Sequence, residues 1–302
     1  MSVRHLLEVD DLTPTELVEV LDLAEAADPP RVLDRRGAAL LFEKPSARTR
    51  NAAEMAVVDL GGHPVAMQGG EVGIDVRETA EDLARVLSGF HAVIGARVFA
   101  HRTLVRMAGA ASVPVVNLLS DVAHPTQALA DILTLRQHFG ALAGRRLAWV
   151  GDANNVFRSL SLAAAMVGMR VHAACPAGFG PPADHLARVA DLAGEVTVSE
   201  RPEAAVEGAD VVSTDVWTSM GQEDEAERRR SAFAGFIVDQ ALFDQALPDA
   251  VFLHCLPAHR GEEVSAEVVD GPRSLVWAQS ENRLHALRGL LAFLLLPLVV
   301  AP

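Results

Sequence analysis

The sequence predicts an α/β protein with two doubly wound domains, each built on a parallel β-sheet. Seven short apolar runs rich in β-branched residues alternate with helical patterns, an order typical of parallel sheets covered by helices on both faces. The 302 residues are enough for two domains, and 50% of them are hydrophobic, as folded cores require. The two cysteines form neither a disulfide framework nor a zinc motif, which favours a reducing, cytoplasmic location.

The first predicted element is a helix whose start is encoded by three residues. Thr13 is the N-cap, Pro14 takes the first helical position and Glu16 completes a capping box. The predicted strands follow at 38–42, 91–96, 113–118, 146–150, 170–174, 210–214 and 250–255. A long helical pattern begins at Pro125 and breaks at the sequence FGALAGRR, so we place a domain boundary after residue 139.

Charge and hydropathy define the remaining segments. Residues 218–230 are densely charged and lack an apolar face, so we expect a loop, able to act as a lid, that leads into a solvated helix. The apolar run at 290–296 is too short to cross a bilayer and is predicted to be a buried terminal helix. At the N-terminus, acidic residues appear before any apolar stretch, so no signal peptide is expected and no membrane partner is predicted.

A group of positive charges contrasts with an acidic chain. The formal net charge is -14, so most of the surface would repel a polyphosphate backbone and general nucleic-acid binding is not expected. Lys44, the only lysine, stands close to Arg48 and Arg50 where a strand runs into a helix. The backbone N–H groups of residues 46–49 at that helix N-terminus favour an anion, so the segment predicts a phosphate site. Alone, it fits a capped helix with two surface arginines equally well.

A second motif opens the helix that begins at Pro125. His124 and Gln127 lie one turn apart there and point to the carboxyl end of the preceding strand. A histidine in this place can donate to a carbonyl oxygen, although by itself it also fits an N-cap on the surface. The strand, turn and helix at 147–160 invite a dinucleotide site, but Gly151 stands alone where three glycines are needed. A nicotinamide-dependent dehydrogenase is therefore not supported.

Polar residues also follow three later strands. The asparagine pair at 154–155 suits a carboxylate or an amide, and Asp215 with Ser219 suits an ammonium group. Cys255 follows His254 directly, but neighbours on a strand point to opposite faces. We therefore do not expect these two residues to form a nucleophile pair.

Together and in this order, the motifs resemble the aspartate/ornithine carbamoyltransferase family over essentially the whole chain, and its ornithine branch in particular. The phosphate motif S-T-R-T-R of the family corresponds to SARTR at 46–50, and its H-P-x-Q motif to HPTQ at 124–127. The two motifs of the ornithine branch, D-x-x-x-S-M-G and H-C-L-P, correspond to 215–221 and 254–257.

This resemblance implies an activity and an architecture. Family members move the carbamoyl group of carbamoyl phosphate to an amine and release phosphate, without a metal or an organic cofactor. For the ornithine branch the acceptor is the side-chain amine of L-ornithine and the product is L-citrulline, a step of arginine metabolism. Residues 1–139 with 282–302 would bind carbamoyl phosphate and 140–281 ornithine, with the C-terminal helix crossing back onto the first domain. A homotrimer or a multiple of trimers is expected.

The resemblance also implies roles for individual residues. Carbamoyl phosphate would be bound by Ser46, Ala47, Arg48, Thr49, Arg97, His124, Gln127 and Arg283. Within this set, Arg97, Thr49 and His124 would polarise the carbamoyl oxygen, and Arg48 and Cys255 join Arg97 and His124 as expected catalytic residues. Ornithine would contact Asn155 through its carboxylate, Asp215, Ser219 and Met220 through its α-amino group, and Cys255 and Leu256 along its side chain.

Two departures from the family pattern bear on the site. Ala47 replaces the usual threonine, which deletes a hydroxyl but keeps the backbone N–H. The family usually carries Gln or His before Leu-Gly in a loop that reaches the neighbouring subunit's site. Here residues 70–77 place an acid or a glycine at that point, so we do not carry this contact over.

Two other functions are compatible with the family. The acceptor could be another amine, such as putrescine or an acylated ornithine, but a substrate without a free α-amino group would leave Asp215 desolvated and unpaired. The chain could instead be a non-catalytic paralogue that binds carbamoyl phosphate. The signature expected of such a paralogue, loss of Arg48, Arg97, His124 or Cys255, is absent from the sequence.

Overall fold

A computed structural model describes residues 3–218 and 223–300, which form two compact units. The first comprises the chain up to residue 133 and again from 281, and the second comprises 134–280. Each unit contains one parallel β-sheet with helices, as the sequence predicts.

The first unit is built on a four-stranded sheet. Its strands are β1 (Gly37–Phe42), β2 (His63–Gln68), β3 (His91–Arg97) and β4 (Val115–Leu119), in the order β2-β1-β3-β4. Its helices are α1 (Pro14–Glu25), α2 (Ala47–Asp59), α3 (Gly69–Val72), α4 (Ala80–Phe90), α5 (His101–Ala110) and α6 (Pro125–Phe139). The last of these continues into the second unit.

The second unit is built on a five-stranded sheet. Its strands are β5 (Arg146–Val150), β6 (Arg170–Ala174), β7 (Glu195–Ser199), β8 (Val211–Thr214) and β9 (Val251–His254), in the order β7-β6-β5-β8-β9. The remaining helices are α7 (Asn155–Met166), α8 (Ala183–Asp191), α9 (Pro202–Val206), α10 (Ala226–Ala232), α11 (Gln240–Phe243), α12 (Ala266–Val269) and α13 (Val276–Val300). The predicted boundaries after 139 and before 282 fall at the end of α6 and inside α13.

Helices cover both faces of the first sheet. Successive side chains of a strand point to opposite faces, so neighbouring residues pack against different helices. Leu41 of β1 packs in one apolar cluster with Leu83 of α4 and Leu104 of α5. Its neighbour Leu40 lines a small apolar cavity on the other face, together with Val57 of α2. A continuous apolar run such as the predicted strand 38–42 is therefore buried on both sides.

The C-terminal helix packs on the first unit, as the resemblance implies. A Cβ atom added to Gly289 would lie 2.4 Å from the carbonyl oxygen of Val20 and 2.6 Å from the backbone nitrogen of Ala24, so glycine allows α13 to approach α1 closely. Arg288 Nη2 donates to the carbonyl oxygen of Ala24 at 2.7 Å. Within 3–218 and 223–300, no helix combines the length and apolarity needed to span a membrane.

Local sequence signals are confirmed in part. The backbone N–H of Thr13 donates to Glu16 Oε2 at 2.8 Å, so the predicted capping box forms. The prediction for 218–230 is wrong in one respect, because α10 turns Arg229 inward. Arg229 is 6% exposed, and its Nη1 donates to Asp152 Oδ2 at 2.7 Å, so the helix has a buried polar contact as well as a solvated face.

Candidate functional site

Several residues named in the sequence analysis lie where the strand order of each sheet reverses. In the first unit β1 leads to β2 on one side and β3 leads to β4 on the other, so the reversal falls between β1 and β3. In the second unit it falls between β5 and β8. Ligands of α/β sheets bind at the carboxyl ends of strands at such points. Ser46 follows β1 and Arg97 ends β3, whereas Asn154 follows β5 and Asp215 follows β8.

In the first unit, the N-terminus of α2 offers an anion site. Ser46 is the N-cap, and its Oγ accepts from the backbone N–H of Thr49 at 3.2 Å. Ala47 opens the helix and is exposed, and Arg48 is half-buried beside it. Arg50 lies on the exposed surface, where it pairs with Glu54 at 2.7 Å. The partial positive charge of the helix start attracts an anion to Ser46 and its neighbours.

Two buried arginines converge on the hydroxyl of Thr49. Arg97 Nη1 lies 3.3 Å and Arg283 Nη2 2.5 Å from Thr49 Oγ1, and each arginine is 6% exposed. Guanidinium groups stay charged in proteins, so two positive charges meet beside the start of α2. This arrangement suits a phosphate dianion, which planar guanidinium groups bind through paired hydrogen bonds.

The loop that precedes His124 is hydrogen-bonded to β4. Asn117 of β4 donates to the carbonyl oxygen of Leu7 at 2.8 Å and to Ser120 Oγ at 3.2 Å. His124 itself is 3% exposed. Burial, and then the charges of Arg283 and Arg97, lower its pKa well below the usual range. The imidazole is therefore neutral near pH 7 and can donate one N–H to a carbonyl oxygen.

In the second unit, the buried carboxylate of Asp215 lies where the strand order of the sheet reverses. Asp215 is 6% exposed and accepts from Asn154 Nδ2 at 2.7 Å and from Cys255 Sγ at 3.0 Å. Asn154 also caps α7 through Oδ1, which accepts from the N–H of Val156 at 2.9 Å. Asn155 is half-buried as the first residue of that helix. Sequence reasoning singled out both asparagines but missed that Asn154 binds Asp215.

In the H-C-L-P segment, His254 and Cys255 make hydrogen bonds to different residues. His254 Nδ1 accepts from the N–H of Leu256 at 2.9 Å, and Nε2 lies 3.2 Å from Glu263 Oε1. The Cys255 thiol donates to Asp215 Oδ1 at 3.0 Å, and the expectation that no cysteine–histidine nucleophile pair forms stays a prediction. Leu256 is half-buried, with a φ of 59°, and precedes a cis bond to Pro257.

Ser219 and Met220 lie outside the described residues. Residues 70–77 form the end of α3 and the following turn, where Asp75 pairs with Arg106 at 2.7 Å and Val76 is 87% exposed. This segment makes its described polar contacts within the first unit.

Donor atoms that could hold a metal ion occur twice among the described residues. One group is formed by Asp215, His254 and Cys255, and the other by His259, Glu262 and Glu263, with the atoms of each group within 4.8 Å of one another. In the first group Asp215 and Cys255 already bind each other. The expectation that the reaction needs no metal stays a prediction.

Comparison with known proteins assigns both units to one family. Residues 4–137 match the carbamoyl-P binding domain, and residues 143–294 the Asp/Orn binding domain, of aspartate/ornithine carbamoyltransferase. The ornithine carbamoyltransferase of Acidothermus cellulolyticus is 50% identical over 302 residues, which cover 97% of both chains. That of Parafrankia sp. is 47% identical and covers 98% of this chain and 97% of its own. The solved structure of ornithine carbamoyltransferase from Pyrococcus furiosus is 42% identical, with a TM-score of 0.92 over 97% of both chains. The chain belongs to the aspartate/ornithine carbamoyltransferase family.

Proposed function

We propose that the protein is an ornithine carbamoyltransferase, which converts carbamoyl phosphate and L-ornithine into L-citrulline and phosphate. The observation that carries this proposal is the buried carboxylate of Asp215, which touches the Cys255 thiol at the carboxyl ends of β8 and β9. A buried carboxylate is stabilised by charged donors, and the α-ammonium group of an amino acid is such a donor. N-acetylornithine lacks a free α-ammonium group, and putrescine, which keeps that nitrogen, lacks the α-carboxylate that Asn155 would bind.

In this proposal the first unit binds carbamoyl phosphate. The phosphate lies at the N-terminus of α2, where it contacts Ser46, Ala47, Arg48, Thr49 and Arg97. The carbamoyl oxygen faces Arg97, Thr49 and His124, whose donors stabilise the negative charge that forms when the amine adds to the carbonyl carbon. Gln127 and Arg283 complete the pocket. His124 donates as a neutral imidazole, in line with the direction of its pKa.

In this proposal the second unit binds ornithine through residues that include Asn155 at the start of α7 and Asp215 after β8. Asn155 binds the α-carboxylate, Asp215, Ser219 and Met220 hold the α-ammonium group, and Cys255 and Leu256 line the path of the side-chain amine. The amine attacks as the neutral base, the bond from the carbonyl carbon to the phosphate oxygen breaks, and the proton that the amine loses ends on the departing phosphate.

The need for a neutral amine gives the reaction a pH dependence. A free alkylamine of this kind has a pKa of about 10.4, so only a small fraction is neutral near pH 7. We expect kcat/KM for ornithine to rise about tenfold per pH unit up to the pKa of the free side-chain amine, because only the neutral amine reacts. His124, whose pKa is lowered well below the usual range, adds no titration there. A flat profile between pH 6 and pH 9 would contradict neutral-amine attack.

The substrate assignment is tested with the purified protein, carbamoyl phosphate and four acceptors: ornithine, putrescine, N-acetylornithine and aspartate. We expect citrulline from ornithine and no comparable product from the other three. Asp215→Asn is expected to raise KM for ornithine by about tenfold or more, because it removes the charge that pairs with the ammonium group. Carbamoylation of another acceptor without citrulline formation would overturn the assignment, and no product from any acceptor would favour the non-catalytic paralogue.

The proposal extends to assembly and location. We propose a homotrimer, or a multiple of trimers, that works in the cytoplasm. Neither Cys175 nor Cys255 forms a disulfide, which is consistent with a reducing compartment.

A further inference from the structure

A buried pair on α6 fixes the orientation of a side-chain amide. Gln127 is the third residue of the helix and is 1% exposed, and Asp131, one turn later, is also 1% exposed. Gln127 Nε2 donates to Asp131 Oδ1 at 2.8 Å. Residues four apart on a helix face the same side, so the contact follows from their spacing. Asp131 belongs to no motif considered above.

The carboxylate decides which end of the amide turns away from it. An ionised carboxylate only accepts hydrogen bonds, so it must face the NH₂ group of Gln127 and not the oxygen. The oxygen, Oε1, then points to the other side of the amide. It is buried and has no hydrogen-bond partner among the described residues. A buried amide oxygen without a donor is costly, so the position is complementary to a ligand that supplies an N–H.

We propose that Asp131 is a positioning residue that selects carbamoyl phosphate over other acyl phosphates. By holding the Gln127 NH₂ group, it presents Oε1 as an acceptor for the NH₂ group of the carbamoyl moiety, an inference that rests on the function proposed above. If the amide were flipped, two NH₂ groups would face each other. An acetyl group, which carries a methyl in place of NH₂, leaves Oε1 unpaired and is disfavoured.

Two stable ligands isolate this contact. Phosphonoacetamide and acetonylphosphonate share the phosphonate and the carbonyl and differ only in NH₂ against CH₃. We expect the wild-type protein to bind the amide about tenfold or more tightly than the ketone in calorimetric titrations, since a hydrogen bond of about 1.4 kcal/mol corresponds to a factor of ten.

Asp131→Asn changes the shape of the side chain little. It removes the constraint on the orientation of Gln127, because an asparagine amide can also donate to the oxygen of a flipped Gln127. We expect the preference for the amide to fall below about threefold, with affinity for the ketone and for inorganic phosphate within twofold of the wild type. Equal loss of affinity for both ligands, which a structural role predicts, would overturn the proposal, and so would an unchanged preference. Asp131→Ser serves as a second variant if the asparagine form does not fold.

A double-mutant cycle separates positioning from packing. Gln127→Met removes the acceptor and is expected to abolish the preference for the amide, and adding Asp131→Asn is expected to cause no further loss. Additive losses would contradict action through Gln127. If the wild-type protein binds neither ligand, the proposed function fails and this inference with it. If the wild type prefers the amide and Asp131→Asn keeps that preference, only the positioning role fails.

Discussion

The hydroxyl of Thr49 accepts from two buried guanidinium groups, and these charges have different origins in the chain. Arg97 ends β3, whereas Arg283 comes from the C-terminal helix. The motif at 46–50 could be found in the sequence, but the two arginines that meet there lie far from it along the chain. Their convergence depends on the fold, so only the resemblance to a family could predict it.

Arg97 provides the first residue-scale test. Arg97→Met keeps much of the side-chain volume and removes the charge that faces the proposed carbamoyl oxygen. Because such a donor stabilises the transition state more than the ground state, we expect kcat to fall by about 10²–10³. The matched control is Arg31→Met, an exposed arginine paired with Asp34 at 3.1 Å, for which we expect kcat within twofold of the wild type. Unchanged turnover in Arg97→Met would remove this residue from the oxyanion role.

His124 makes stability depend on pH. Its pKa is lowered in the folded protein, so below about pH 6.5 the unfolded chain binds a proton that the folded chain does not. The stability contributed by the neutral imidazole is therefore complete above this pH and is lost on acidification, at up to about 1.4 kcal/mol per pH unit. His124→Gln removes the titrating group. In urea unfolding, we therefore expect the free energy of unfolding of the variant to fall less between pH 7 and pH 5 than that of the wild type. Parallel losses in the two proteins would show that His124 is not the group responsible.

At the scale of elements, mostly buried strands could be predicted, including β4 and β9 at sheet edges, whereas the half-exposed strands β2 and β7 could not. β1, β3, β5 and β8 are apolar runs because helices bury both of their faces. β2 and β7 have half-exposed patterns and lie at sheet edges, so their sequences carry no continuous apolar signal. The motif residues could likewise be identified from sequence, whereas Asp131 and Asn117 could not, because only their folded partners reveal what they hold.

The contact between α13 and α1 gives an element-scale prediction. Gly289→Ala would bring a methyl group to 2.4 Å from the carbonyl oxygen of Val20, so the two helices must separate. We expect a loss of about 2 kcal/mol in the free energy of unfolding, typical of overpacking. The matched control is Gly109→Ala in α5, where an added Cβ meets nothing within 4 Å, and a gain of about 0.5–1 kcal/mol is expected. Chemical denaturation measures both, and equal stability of the two variants would contradict the close packing.

At the scale of the whole molecule, the contrast between a negative surface and a positive site follows from where the charges lie. The net charge of -14 is spread over the chain, while Arg97 and Arg283 are buried beside the start of α2. A negative exterior disfavours polyanions, and the local positive potential still attracts a small phosphorylated substrate. Net charge could therefore be obtained from composition, but the sign of the potential at the site required the positions of individual arginines.

Exposed apolar side chains on α4 give a prediction about assembly. On α4, Val86 is 49% exposed and Phe90 is 74% exposed, and their spacing of four residues places them on one side of the helix. Apolar side chains exposed together are typical of protein interfaces. We expect this face to be buried between subunits of the proposed trimer, so that light scattering gives three times the 32.1 kDa chain mass, or a multiple of that value.

The variant Phe90→Asp tests this assignment. Burying an aspartate in place of a phenylalanine removes about 2–3 kcal/mol of apolar burial and adds a desolvated charge at each interface. We therefore expect the mass to shift toward the monomer at micromolar concentration, with far-UV circular dichroism unchanged. The control is Leu247→Gln, a substitution at a lone leucine of the second unit that is 42% exposed, for which the mass of the wild type is expected. A trimer that persists in Phe90→Asp would place the subunit interface on another face of the molecule.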